Sequence, residues 1–321
     1  MKEFYPYAFV TFLIKNDSYL PGALLQAYSL KKQAIIADTI CIVTEEIPDQ
    51  AISALKIVFD KVIQLESIKT SQLKDQKRQY LSRIFTRLHA LRLGGDGDLG
   101  CSYSKIIVMD ADILPIRGYQ QLFLVDSPGG ILNEYKEYVI SDIKLEDRLN
   151  GVWTWHKHYR NIPHGCRIPK SITDNVIFDR NNYGINTALL IIEPSMDIYN
   201  EIIADLENEK IINFIKCNFK WPDMQYLTLK WSGLWHNVDL SYASFHGYPD
   251  IEVINGNHYA GIKPWQIYND SVTRKYRYHD DFRYWYREFT NMMNENEELN
   301  IHKKLNRIKK ESLEADEKIL K

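Results

Sequence analysis

The chain has 321 residues and nearly balanced charge, with 40 lysines and arginines against 42 aspartates and glutamates. That balance excludes the basic surface with which proteins bind nucleic acids or anionic membranes, so we expect neither as a partner. Hydrophobic residues make up 45% of the chain, which is enough for a packed core and excludes global disorder.

Strand-like and helix-like segments alternate along the first two thirds of the chain. Short runs of β-forming residues predict strands at 8–14, 39–43, 61–65, 105–109 and 188–192. Apolar residues at helical spacing predict helices at 21–32, 48–58, 79–93 and 196–207. This alternation predicts an α/β fold, with a mostly parallel sheet flanked by helices and ligands bound beyond the carboxyl ends of the strands.

Two segments break the alternation. Residues 129–183 lack a regular pattern and are rich in glycine, proline, histidine and tryptophan, which is typical of a lid or binding loop inserted into a domain. Residues 289–321 are rich in glutamate, lysine and asparagine, and their apolar residues are only loosely periodic. We interpret this charged extension as a solvated or frayed helix, with a dimerising helix as the alternative.

Two aspartates separated by one residue follow the predicted strand at 105–109. Because alternate residues of an extended chain point the same way, Asp110 and Asp112 deliver two carboxylates to the ligand end of that strand. Such carboxylates repel each other unless a divalent cation neutralises them, which predicts a metal site. A helix cap followed by a turn residue is the structural alternative. A second pair, Asp96 and Asp98, lies in a glycine-rich segment that predicts a solvated turn.

A strand followed by Asp-x-Asp also resembles the first motif of haloacid-dehalogenase-type phosphatases, whose first aspartate is a nucleophile and whose second is an acid. That motif usually opens the core domain of those enzymes. Here more than a hundred residues precede it, and the later acidic pair Asp280-Asp281 does not follow an apolar strand. We therefore favour the metal site.

Two further groups of residues suit the binding of a phosphorylated ligand. His258, Gly261 and Lys263 combine a nitrogen ligand, a flexible backbone and a positive charge, as a metal–diphosphate site requires. Arg83 and Arg87 are four residues apart and share one face of an α-helix. Arg78 joins them on one ligand only if the helix begins after it.

In sequence order, these segments resemble glycosyltransferase family 8, the glycogenin-like retaining enzymes with a Rossmann-like GT-A fold for nucleotide-diphospho-sugars. The resemblance covers about residues 8–266. The matching segments are Asn16-Asp-Ser-Tyr19 with Pro21-Gly-Ala-Leu24, Phe85-Thr-Arg-Leu-His89, Met109-Asp-Ala-Asp112, Ile185-Asn-Thr-Ala188 with Glu193-Pro-Ser195, Pro222-Asp-Met-Gln-Tyr-Leu227, and the segment from His258 to Trp265. It implies a catalytic domain at 1–288 that contains the insertion at 129–183, followed by the extension.

The resemblance also implies roles for individual residues. Those that hold the nucleoside of a UDP-sugar are Leu13, Asn16, Tyr19 and, through its backbone, Ala111. Those that bind Mn²⁺, with Mg²⁺ as the alternative, are Asp110, Asp112 and His258. Those that face the diphosphate or the sugar-nucleotide are Gly261, Lys263, Arg78 and Arg87. Those that contact the transferred sugar are Asn186, Thr187 and Asp223, and Asp223 is the weak candidate for a nucleophile, with a helix cap as its structural alternative.

The sequence departs from the family pattern where Lys15, Ala188 and Met224 replace the usual residues, and in the shorter spacing from Gly261 to Lys263. We therefore expect a metal-dependent retaining transfer of a hexose, glucose first, to a hydroxyl acceptor. UDP-galactose, UDP-N-acetylglucosamine and a sugar-nucleotide-binding protein with little turnover stay open as alternatives. Self-glucosylation at Tyr242 or Tyr248 and a homodimer are also open.

The cellular location is expected to be cytoplasmic. The amino-terminal sequence lacks the apolar stretch of a signal peptide, and no apolar run approaches the roughly 20 residues that span a bilayer. The four cysteines are scattered and form no Cys-x-x-Cys pair, which is typical of reduced thiols in a large domain.

Overall fold

The computed structural model describes residues 5–70, 73, 79–134, 161–245, 251–267, 277 and 279–317. Its strands are β1 (Tyr7–Leu13), β2 (Asp38–Thr44), β3 (Lys61–Leu65), β4 (Lys105–Met109), β5 (Ile113–Pro115), β6 (Gly129–Leu132), β7 (Ile185–Ile192), β8 (His236–Asn237), β9 (Ser244–Phe245) and β10 (Gly256–His258). Its α-helices are α1 (Leu20–Lys32), α2 (Asp49–Val58), α3 (Lys170–Thr173), α4 (Met196–Glu207), α5 (Glu209–Asn218), α6 (Pro222–Lys230), α7 (Asp280–Glu295) and α8 (Lys303–Glu317). The predicted strands and helices before residue 210 are therefore present, with bounds that differ by at most three residues.

The described chain divides into two compact units. The first unit takes its residues from 8–66, 109–120 and 240–321, and the second takes them from 1–7, 67–108 and 121–239. Each unit therefore collects segments that lie far apart in the sequence.

The first unit carries parallel strands in the order β3-β2-β1, and a small sheet in the order β5-β10-β9. Helix α1 begins with Pro21 in its first turn, where proline costs no hydrogen bond, and it is buried along nearly its whole length. In the small sheet, β10 runs antiparallel to β5 and pairs His258 with Ile113. This pairing brings residues from 110–113 and from 256–263 to one place.

The second unit carries strands in the order β4-β7-β6-β8. Strand β7 is buried at every position, which explains its nearly continuous apolar sequence. Strand β6 pairs antiparallel with β7 and parallel with β8. Because β6 begins at Gly129, the segment expected to be irregular from that residue onward starts instead with a buried strand. Within it, residues 135–160 lie outside the described part of the chain.

The segment from Gln79 to Leu93 is helical as predicted but winds in 3-10 turns. A 3-10 helix has 3.0 residues per turn, so residues four apart point about 120° away from each other. Arg83 and Arg87 therefore do not share a face, and the expectation that they do is wrong. Arg78 lies outside the described residues.

The carboxyl-terminal extension differs from the solvated helix predicted for it. Leu299, Leu305 and Ile308 are each at most 1% exposed, and Lys32 of α1 forms an ion pair of 2.7 Å with Glu288 of α7. The loose apolar spacing concealed this packing because the apolar residues are divided between α8 and the short 3-10 turn Glu297–Ile301 before it. The end of the chain is therefore part of the first unit's core.

Candidate active site

The first unit holds a cluster of possible metal ligands just beyond the end of β4. Ligand atoms of Asp110, Asp112 and His258 all lie within 4.8 Å of one another. Asp112 and His258 are buried, with 7% and 3% of their surface exposed. Residues predicted from separate parts of the sequence to bind one metal are thus brought together.

Backbone contacts hold these ligands in position. The amide of Tyr259 donates to Asp112 O at 2.9 Å, which extends the pairing of β10 with β5. From α1, the Gln26 side-chain amide donates to Asp110 O at 2.7 Å and to Ile113 O at 3.0 Å. The sequence analysis missed Gln26, although a lone glutamine among the apolar residues of a buried helix was a usable signal.

Gly22 allows α1 to approach this turn closely. A β-carbon at this position would collide with Ala111 O and with the ring of Trp265. Gly22 therefore has a packing role that a larger residue could not fill.

Opposite charges surround the Asp112 carboxylate. The Lys263 ammonium donates a hydrogen bond to Asp112 Oδ2 and another, of 2.6 Å, to Tyr259 O. Asp112 Oδ1 lies 3.3 Å from His258 Nε2 and accepts no hydrogen bond from any described residue. Burial acts to raise the pKa of Asp112, but the charges of Lys263 and His258 outweigh it and hold that pKa well below the usual carboxyl range.

The composition of this cluster fits a divalent cation. Two carboxylates and an imidazole suit Mn²⁺, and Mg²⁺ prefers oxygen ligands alone. The buried Asp112 Oδ1 lacks a hydrogen-bond donor, and a buried carboxylate oxygen is stabilised by a cation or a donor. Asp110, Asp112 and His258 would hold the ion.

An aromatic residue covers one side of the cluster. Tyr19 is 40% exposed, and its ring lies 5.4 Å from Lys263 Nζ and packs edge-on against Trp265 with the ring centroids 5.7 Å apart. Burial, followed by the negative charges of Asp112 and Asp110, raises the pKa of the Tyr19 hydroxyl above its usual range. Tyr19 is thus a neutral ring beside the charged cluster.

The other residues predicted to bind the nucleotide have distinct environments. Leu13 is buried at the end of β1, Ala111 is buried beside Gly22, and Asn16 is exposed with its Oδ1 accepting a hydrogen bond of 3.0 Å from Ser18 N. Gly261 has a φ of 85°, a value that favours glycine, and its missing side chain would face open space. Their roles toward a ligand stay predictions.

The second unit holds another group of predicted site residues. The Thr187 hydroxyl donates to Asp223 Oδ2 at 2.7 Å, and Arg87 Nη1 donates to Thr187 O at 2.6 Å. Arg87 Nε lies 3.6 Å from the same Asp223 oxygen. Asn186 is buried beside them, and its Oδ1 accepts a hydrogen bond from Ala188 N. Four residues from three segments of sequence thus form one cluster.

Asp223 does not cap its helix, which was the structural alternative for it. Helix α6 begins at Pro222, and the capping position is Trp221, whose side chain forms no capping hydrogen bond. Asp223 lies inside the first turn, where its negative charge is favourable near the helix amino terminus. Its carboxylate contacts Thr187 and Arg87 instead.

The other Asp-x-Asp pair has the structural role expected of a turn. The Asp98 carboxylate forms two hydrogen bonds with Arg92, of 2.8 and 2.7 Å, and Asp96 Oδ2 accepts one of 2.8 Å from Met196 N at the start of α4. Both aspartates are therefore explained by local structure.

Tyr242, one of the two tyrosines considered for self-glucosylation, is 4% exposed, and its ring packs edge-on against Tyr119 with the centroids 5.6 Å apart. A hydroxyl buried in this way is not presented to a donor. Tyr248 lies outside the described residues. Among the helices that the structure describes, each is too short or too polar to cross a membrane.

The sequence is similar to glycogenins. It is 37% identical to glycogenin-1 of Oryctolagus cuniculus over 119 residues, which are 36% of this chain and 33% of that protein. It is 25% identical to the uncharacterized protein R707 of Acanthamoeba polyphaga mimivirus over 74% of this chain and 71% of that protein. No protein-family profile matches the chain. The chain thus spans about a third of the length of the glycogenin, and the resemblance predicted from the motifs is confirmed.

The fold is similar to that of the galactosyltransferase LgtC, whose structure was solved with donor and acceptor sugar analogues. The likeness covers 87% of this chain and 94% of LgtC, with a TM-score of 0.58 and 13% sequence identity. The structure of an active-site mutant of LgtC matches with a TM-score of 0.54, 13% identity, and coverage of 84% and 93%. The predicted α/β fold of the GT-A class is therefore confirmed.

Proposed function

We propose that this chain, similar in sequence to glycogenins and in fold to LgtC, is a metal-dependent retaining glycosyltransferase. It transfers a hexose, glucose in our proposal, from a UDP-sugar to a hydroxyl acceptor. The observation that carries the proposal is the buried cluster of Asp110, Asp112 and His258 with the Lys263 ammonium beside it. The GT-A fold disfavours the phosphatase alternative for the same Asp-x-Asp pair.

The cluster suits the stabilisation of a diphosphate leaving group. Negative charge accumulates on the diphosphate as the glycosidic bond breaks, and a bound divalent ion supplies positive charge there. Without such a ligand, the Lys263 ammonium is neutralised by Asp112 and held by Tyr259 O. Once a cation neutralises the carboxylates, Lys263 can turn its charge to a phosphate oxygen, and the backbone at Gly261 leaves room for that phosphate.

Tyr19 and the loop before it suit the nucleoside. An exposed aromatic ring offers a face on which a base can stack, and Trp265 supports the Tyr19 ring from the side. Asn16 is exposed in the same loop and carries both hydrogen-bond donors and acceptors. We assign uracil and ribose recognition to these residues together with Leu13 and the backbone of Ala111.

The second cluster suits the transferred sugar. Asp223 is 2% exposed and is held by Thr187 and Arg87, so its carboxylate is fixed in orientation. A fixed carboxylate can stabilise the positive charge that develops at the anomeric carbon, or attack that carbon in a double displacement. We assign Asp223 to this role and Asn186 and Thr187 to contacts with the sugar hydroxyls, with Arg87 keeping Asp223 in place.

The proposal is tested by incubating the protein with Mn²⁺ and each common UDP-sugar separately, while measuring released UDP and the intact mass of the protein. UDP release with one donor identifies the sugar, and a mass increase in hexose steps shows that the chain itself is an acceptor. UDP-glucose should release the most UDP. A larger release from UDP-galactose or UDP-N-acetylglucosamine would reassign the donor. Tight UDP binding with no release from any donor would instead support a sugar-nucleotide-binding protein.

A further inference from the structure

The start of helix α8 packs against the loop that follows β1. His302, immediately before α8, is 8% exposed, and burial lowers its pKa while the nearby Asp17 carboxylate acts to raise it. Lys304, in the first turn of α8, donates a hydrogen bond of 2.8 Å to Asp17 O. A residue almost at the end of the chain thus contacts one near its beginning.

The contact between Lys304 and Asp17 has two components. Besides the bond to the backbone carbonyl, Lys304 Nζ lies 3.3 Å from Asp17 Oδ1 and forms an ion pair with it. The side chains are 25% and 31% exposed, so the pair is screened only in part by water. The same Asp17 carbonyl also accepts the amide of Leu20 at the start of α1. Lys304 therefore reinforces the point where the loop joins α1.

The loop that Lys304 holds has a strained conformation at its start. Lys15 has a φ of 73°, in the left-handed region that residues other than glycine rarely adopt. Its amide donates to Thr44 Oγ1 at 3.0 Å, and Asn16 N donates to Ile14 O at 2.9 Å. Because this geometry is unfavourable by itself, contacts elsewhere in the loop help to determine whether it persists.

Asp17 lies between the two loop residues assigned to the nucleoside, Asn16 and Tyr19. We propose that Lys304 is a positioning residue for donor binding, which fixes Asp17 and thereby orients Asn16 and Tyr19 for the nucleoside. This inference rests on the proposed function and extends it to the carboxyl-terminal helix. It also explains why the chain continues past the resemblance at residue 266 into a packed helix.

The physical reason is preorganisation. A loop that is already ordered loses less conformational entropy when it binds a ligand, so affinity falls when the contact that orders it is removed. Among the described residues, Lys304 bonds to Asp17 and to none of the proposed metal ligands. Removing the Lys304 contact should therefore weaken nucleotide binding and leave both metal binding and the chemical step nearly unchanged.

The experiment compares the wild-type full chain with Lys304→Met by calorimetric titration with UDP in the presence of Mn²⁺, and by titration with Mn²⁺ alone. We expect UDP affinity to fall about fivefold, the size of one partly exposed ion pair, and Mn²⁺ affinity to stay unchanged. The KM for the donor should rise by a similar factor with kcat nearly constant. Lys304→Arg should restore most of the affinity, since it keeps the positive charge.

Two further variants make the result specific. Asp17→Asn removes the ion pair but keeps the backbone carbonyl, so we expect a smaller loss, about twofold, and this variant serves if Lys304→Met does not fold. Lys310→Met, which removes an exposed lysine of the same helix, should bind UDP as the wild type does.

Unchanged UDP affinity in both Lys304→Met and Asp17→Asn would overturn the inference. So would an equal loss of UDP and Mn²⁺ affinity together with a lower melting temperature, because that pattern indicates a general structural role. If the wild-type protein binds no UDP, the proposed function fails first, and the inference fails with it.

Discussion

The two clusters of site residues differ in how far their own side chains complete them. In the first unit, Asp112 Oδ1 is buried without a hydrogen-bond donor among the described residues, and Lys263 neutralises the other carboxylate oxygen. In the second unit, Asp223 Oδ2 accepts the Thr187 hydroxyl and faces Arg87. The first cluster therefore calls for a cation, whereas the second is a preformed arrangement whose carboxylate is already oriented.

This difference predicts the largest effect for Asp112→Asn. The substitution removes a negative charge from the proposed metal site and leaves the buried Lys263 without its ionic partner, so UDP release should fall about a thousandfold. Its matched control is Asp98→Asn, which changes the aspartate of the other Asp-x-Asp pair and should retain full activity. Comparable activity in the two variants would contradict the account of the first cluster.

Asp223→Asn should affect the chemical step without affecting nucleotide binding. The variant keeps the size of the side chain but removes its charge, so we expect kcat to fall about a hundredfold while the affinity for UDP stays at the wild-type value. Thr187→Ser keeps the hydroxyl that Asp223 accepts and should change kcat little. A loss of UDP affinity in Asp223→Asn would instead assign Asp223 to nucleotide binding.

Gly22→Ala should break the close packing that supports the first cluster. The added methyl group collides with Ala111 O, a backbone atom, so we expect a loss of about 1–3 kcal/mol in the free energy of unfolding and weaker Mn²⁺ binding. Thermal melting and a Mn²⁺ titration measure the two effects. Gly95→Ala is the control, because its β-carbon meets no atom closer than 4.0 Å, and equal melting of both variants would contradict this role for Gly22.

Tyr242→Phe should have the smallest effect. The ring is buried against Tyr119, and phenylalanine keeps that packing, so any self-glucosylation measured as a mass increase should continue unchanged. Loss of the mass increase in this variant would show that Tyr242 becomes exposed and accepts the sugar.

The sequence predicted the first cluster well because strong local signals mark its members. Asp110 and Asp112 follow a short apolar strand, and His258 precedes a segment with Gly261 and Lys263. The pairing of β10 with β5, which brings these segments together, has no signal in the local sequence, because β5 and β10 are only three residues long. The resemblance to a family supplied that connection.

Other features were missed because they depend on long-range packing. The α-helical geometry assumed for Arg83 and Arg87 failed, since apolar spacing alone does not distinguish a run of 3-10 turns from an α-helix. The role of Lys304 was hidden in a charged segment, where a lysine that contacts Asp17 looks like any solvated lysine. Similarly, a buried β6 after Gly129 was too short to stand out from the residues that follow it.

The most direct test of the central claim is a Mn²⁺ titration of the wild-type protein and Asp112→Asn, followed by electron paramagnetic resonance with and without UDP. The account predicts one bound Mn²⁺ per wild-type chain, tighter binding when UDP is present, and loss of this site in Asp112→Asn. Equal Mn²⁺ binding by the two proteins, or binding that UDP does not strengthen, would contradict a metal–diphosphate site at Asp110, Asp112 and His258.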